Sequence, residues 1–253
     1  MQNNLPIKNK MAVVFHGIVG GMNSHNGVGP PTNISDCAKT IKYNVLSTYD
    51  CDIFCHSWSV DHKEEIISLY NPVMSLFQPQ EYFGYSGIRA SEDPLAGQAF
   101  RGTSKYVSLQ RGMMLKQQYE KENNFRYKWV FVIRYDLVFF TKLDLSTFDN
   151  NMIYPCTEPH WGHNTTIIDD RLFLSNSNIM DALSNMGSEA IARVYNLSDV
   201  HAAIGQKIRN VLGGNLNLIG FRFDRYKDVE VYRVIIKPEL NPVGHAYGAL
   251  DTK

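Results

Sequence analysis

Three short apolar bursts, MAVVFHG (11–17), DIFCHSW (52–58) and VMSLF (73–77), are separated by stretches of helical spacing. Between the first two, Ile34, Cys37, Ala38, Ile41, Val45 and Leu46 recur on one face of a helix over 33–48, with Asn33 or Ser35 as its cap. Between the second and third, Asp61 and Glu64 have the spacing of a capping box that opens a short helix through Leu69. The resulting β-α-β-α-β order confines the chain to an α/β class, a mostly parallel sheet flanked by helices, as in doubly wound nucleotide-binding folds. With 253 residues and 44% hydrophobic content, the core of one such domain can be filled.

Further along, residues 84–102 are rich in Gly, Ser, Asp and Pro and read as a loop. Ser104 to Glu122 then reads as an amphipathic helix with Tyr106, Val107, Leu109, Met113, Met114 and Tyr119 inward. It leads into the strand WVFVIRYDLVFF (129–140). Beyond Asp144 the pattern loosens: strands at 152–154 and 171–174, helices at 177–186 and 199–212, and a closing pair of strands in LNLIGFRF (216–223) and VEVYRVIIK (229–237). We read residues 1–10 as a flexible tail and 11–253 as a single domain with a less regular C-terminal half.

Composition excludes several functions. Lys plus Arg and Asp plus Glu both number 25, so no net field draws the chain to nucleic acid or an anionic membrane. No apolar run is long enough for a transmembrane segment, and MQNNLPIKNK lacks a signal-peptide core, so the sequence reads as cytoplasmic. The four cysteines form no Cys-x-x-Cys pair, the pattern of buried reduced thiols. A serine hydrolase is disfavoured because no Gly-x-Ser-x-Gly is present.

In an open α/β sheet, ligands bind beyond the carboxyl ends of the strands. The first strand ends in His16 and Gly17, where a backbone amide can approach a phosphate. The second ends at Trp58, either a stacking surface for a base or a seal on the core. Arg134 and Asp136, two apart on an extended chain, face the same way. Either they form an ion pair that plugs the strand end, or Asp136 holds a divalent cation while Arg134 meets a phosphate.

The segment KYVSLQRGMMLKQQYEKENNFRYKWVFVIRYDLVFF (105–140), together with VVFHG (13–17), DIFCHSW (52–58) and DDRLFLSNSNIMDAL (169–183), resembles glycosyltransferases of the nucleotide-diphospho-sugar transferase superfamily. These landmarks occur in the same order as in that family, over most of residues 11–183. The resemblance implies a GT-A-like domain that takes a nucleotide-diphosphate sugar donor and a glycan or other hydroxyl acceptor. It implies a divalent cation, Mn or Mg, bound by an Asp-x-Asp motif. Here Arg134 stands at the first acidic position and only Asp136 matches the second, so Arg134 itself offsets part of the diphosphate charge.

By the same resemblance, Asp169 and Asp170 stand where acceptor-side acids stand, and His245 is a late metal or phosphate ligand. Two adjacent carboxylates are expected to have split pKa values. Trp161, in HWGH (160–163), offers a ring face to an acceptor sugar. The alternative to an enzyme is a non-catalytic nucleotide-sugar or carbohydrate-binding module on the same fold.

Overall fold

The computed structural model of the protein describes residues 5–19, 33–84, 94–158, 165–197, 199–225 and 227–231. The strands are β1 (Ile7–His16), β2 (Cys51–Ser57), β3 (Met74–Phe77), β4 (Arg126–Arg134), β5 (Leu137–Phe139), β6 (Tyr154–Thr157), β7 (Asp169–Ser175), β8 (Phe223–Asp224) and β9 (Val229–Val231). Seven of them form one sheet in the order β3-β2-β1-β4-β7-β6-β8, and β5 pairs with β9 in a separate ribbon. The first four in that order run parallel, and β7 is antiparallel to both of its neighbours. The chain is thus α/β with a mostly parallel central sheet.

Strand β1 explains why the apolar bursts show no alternation. Met11, Val13 and Phe15 enter the core on one face, and Ala12 and Val14 enter it on the other. A strand covered on both faces must be apolar at every position, and each Val, Phe or Met side chain among these contributes about 1.5–3 kcal/mol when fully buried. The first face is covered by α1 (Ile34–Ile41) and α2 (Lys63–Tyr70). The second is covered by α3 (Pro94–Asn123), α4 (Ser177–Ser184), α5 (Met186–Ile191) and α6 (Val200–Val211). Asn33 caps α1 as expected, its side chain accepting from the Asp36 N–H.

Several expectations give way. Strand β1 starts at Ile7, inside the stretch read as a tail, because Ile7 and Lys8 pair with Arg126 and Tyr127. Helix α3 begins at Pro94, inside the stretch read as a loop. Proline is tolerated in a first helical turn, and Gly102 lies so close to Val200 that a Cβ there would come within 2.8 Å of its Cγ1. The glycine serves helix packing and does not break the helix. Met114 is 54% exposed, so it lies off the inward face of α3.

The Asp61 capping box does not form. A 3₁₀ turn, Val60–His62, precedes α2, and His62 Nδ1 lies 3.0 Å from Glu65 Oε2 instead. The closing strands do not pair with each other: β8 joins β6, while β9 joins β5. Phe223 is drawn away by the core, where its ring stacks on Phe131 at 5.6 Å.

Gly112 brings α3 onto β1, since a Cβ there would meet Val14 Cγ1 at 2.8 Å and the Phe15 carbonyl oxygen at 3.4 Å. Gly112→Val is expected to cost about 1–3 kcal/mol through overpacking. A urea titration checks this, and an unchanged midpoint would contradict the close approach.

Candidate functional site

The strand order locates the site. From β1 the chain winds outward through β2 and β3, then crosses back to β4 on the other side of β1. Such a reversal opens a crevice between the carboxyl ends of the two central strands. There His16 is the register partner of Arg134. Both lie two residues beyond valines, Val14 and Val132, that face α3, so alternation turns both side chains toward that helix. Strand β7 arrives antiparallel, with Leu172 opposite Ile133, which carries its first residues, Asp169 and Asp170, to the same edge.

Around this edge, charges alternate in sign. Arg134 donates from Nε to Asp136 Oδ1 at 2.8 Å and from Nη2 to Asp136 Oδ2, so both carboxylate oxygens are engaged by one guanidinium. Asp170 pairs with Lys105 of α3, and His201 Nδ1 lies 3.8 Å from Asp170 Oδ1. Asp169 accepts the Arg171 backbone N–H at 2.9 Å and pairs with the Arg171 guanidinium. Arg171 also approaches Glu158 at 3.5 Å; Glu158 pairs in turn with Arg225, whose Nε lies 3.1 Å from Glu230.

The two neighbouring aspartates shift in opposite directions. Burial pushes the Asp169 carboxyl up and the Asp170 charge adds to this, while Arg171 opposes it. Burial alone would raise Asp170 as well, but Lys105, His201 and Arg134 outweigh it and hold that carboxyl below the usual range. His16 sits among these charges at 1% exposure, and neither of its ring nitrogens has a hydrogen-bond partner among the described residues. Burial first, then the positive charges of Lys105 and Arg134, push its imidazole down to about 3, so it is neutral at pH 7.

Not every predicted residue is used as expected. Gly17 has φ +109°, a turn geometry that favours glycine, but its amide already donates to Ser108 Oγ at 2.7 Å. Its carbonyl accepts from Ser57 Oγ and from the Trp58 N–H. The amide therefore anchors the β1 end to α3 and is not presented to a phosphate. Trp58 is 5% exposed, with its ring between His56 and the Arg111 guanidinium and its Nε1–H on the Ser104 carbonyl. It seals the core and offers no open stacking surface. Trp161 and His245 lie outside the described residues.

Ser108 ties three elements together, since His56 Nδ1 lies 2.7 Å from the same Oγ that the Gly17 amide reaches. His56 Nε2 faces Gln78 Oε1 at 3.3 Å. With Gln78 oxygen an acceptor, these contacts assign the Nε2–H tautomer. Burial pushes this imidazole down to about 4.

A divalent cation does not fit the Asp136 position, because Arg134 occupies both of its carboxylate oxygens. Among the described residues no group of three or more His, Cys, Asp or Glu side chains is placed to hold a metal ion.

The site also includes residues that the sequence reading missed, namely Lys105, Ser108, Glu158, Arg171, His201 and Arg225. For Lys105 a signal existed. It stands four residues before the inward Leu109 and seven before Gly112, on the face of α3 that meets the sheet. No protein-family model matches the chain, and no curated protein matches it in sequence.

Proposed function

We propose that the protein is a glycosyltransferase that moves a sugar from a nucleotide-diphosphate sugar to a glycan or other hydroxyl acceptor. The observation that carries this reading is the convergence of Arg134, Asp136, Asp169 and Asp170 at the β1/β4 switch point. Glycosyl transfer needs positive charge fixed where the diphosphate leaves and a base where the acceptor hydroxyl loses its proton. Arg134, held in one orientation by the bidentate Asp136 carboxylate, suits the first role. Asp169, whose carboxyl is pushed up, suits the second better than Asp170, whose charged form Lys105 stabilises. In this role Asp169 exchanges its Arg171 contact for the acceptor hydroxyl.

Asp136→Ala frees Arg134 from its bidentate carboxylate partner and is expected to lower sugar transfer about 100-fold or more. The measurement is nucleoside diphosphate release across a panel of donors and acceptors, with circular dichroism to verify the fold. Unchanged transfer in a folded Asp136→Ala variant would refute the assignment. The second reading, a non-catalytic binding module, draws support from the mutual ion pairs that occupy Asp136 and Asp170. It expects donor binding with no steady diphosphate release when an acceptor is present.

A further inference from the structure

We infer that the switch-point crevice binds a diphosphate without a metal ion, through Lys105, Arg134 and the His16 ring. This rests on the donor site proposed above and specifies how that site meets its anion. The first support is His16 itself. A buried ring with two unpartnered nitrogens carries a desolvation penalty that native proteins rarely leave uncompensated. A neutral imidazole retains one N–H to donate, and beside two cations the acceptor that suits it is an oxyanion.

The second support is the state of the two cations. Asp136 takes Nε and Nη2 of Arg134, which leaves Nη1 uncommitted among the described residues. The Lys105 ammonium has three donors, and Asp170 is its ion-pair partner among the described residues. Both side chains are reachable, at 20% and 18% exposure, whereas the structural Lys116 of the same helix is at 0%. Each carboxylate aims its cation, and each cation keeps donors for a ligand. The third support is that the carboxylate expected to bind a metal is closed by Arg134, so the cation's charge is supplied by the protein.

Titration calorimetry of the full chain with uridine diphosphate, guanosine diphosphate and inorganic pyrophosphate, in EDTA and in manganese, tests this. At least one probe is expected to bind in EDTA within about twofold of its affinity in manganese. Lys105→Gln and His16→Phe are each expected to weaken it about tenfold, a difference of about 1.4 kcal/mol, while the exposed Lys121→Gln leaves it unchanged. Binding only with manganese, or no binding under either condition, would overturn the inference; the wild-type comparison needs no variant to fold. Undiminished affinity in folded Lys105→Gln would overturn it as well. The two proposals separate cleanly. Pyrophosphate binding in EDTA with no transfer from any donor sinks the transferase and keeps the metal-free site, whereas transfer that requires manganese does the reverse.

Discussion

Replacing Lys116 with methionine is expected to cost about 3–5 kcal/mol, because breaking a buried ion pair strands its partner. The ammonium is fully buried and makes three contacts: Glu120 Oε2 at 2.8 Å, Asp181 Oδ1 at 2.6 Å and Ser177 Oγ at 2.5 Å. Glu120, 1% exposed, also accepts from the Tyr127 N–H and Ser177 Oγ, and it lies 3.1 Å from Arg126. One network therefore fixes α3 to the amino end of β4 and to α4. Without Lys116, the one counter-charge left to Glu120 and Asp181 among the described residues is the partly exposed Arg126. Urea unfolding gives the loss directly, and for a domain of this size the melting temperature should fall by about 10 °C. Adding Glu120→Gln should recover part of the loss, because it removes the stranded charge. A loss below about 1 kcal/mol would show that Arg126, with the Tyr127 N–H and the Ser177 hydroxyl, is enough to satisfy both acids.

Stability is expected to fall by about 4 kcal/mol between pH 7 and pH 5, from His16 and His56 together. Both imidazoles are pushed down by burial, to about 3 and about 4, whereas in the unfolded chain each titrates near 6.5. Between those values the unfolded state binds more protons than the folded state. Each histidine therefore contributes stability that is complete above about pH 6.5 and is lost as pH falls, at about 1.4 kcal/mol per unit. Asp169 works the other way, since its raised carboxyl takes up a proton more readily in the folded state. Asp170, held low, begins to contribute a loss only once pH nears the ordinary carboxylate range. Urea midpoints at pH 7 and pH 5 measure the difference, and His56→Gln should remove about half of it. Equal midpoints at the two values would show that neither imidazole is excluded from protonation.

The charged edge was legible only in fragments. Arg134 and Asp136 stand two apart on one strand, so their ion pair follows from local geometry, and it is one of the two outcomes open at that stage. Lys105 and Asp170 are far apart in sequence, and no local pattern joins them. Their contact depends on where α3 crosses the sheet and on β7 running backwards beside β4. The amide of Gly17 illustrates the same limit. Its turn can be read from the glycine, but Ser108, which consumes the N–H, comes from a helix packed above it.

The sequence by itself determined the β-α-β-α-β order from β1 to β3, because apolar runs and helical spacing are set by neighbours along the chain. It also determined which charges sit at strand ends. Tertiary structure alone decided that α3 starts at Pro94, that β8 and β9 part company, and which cation each carboxylate meets. The physical reason is that a buried charge is stable only beside its counter-charge. The identity of that partner is fixed by the packing of elements distant in sequence, a quantity that periodicity does not encode.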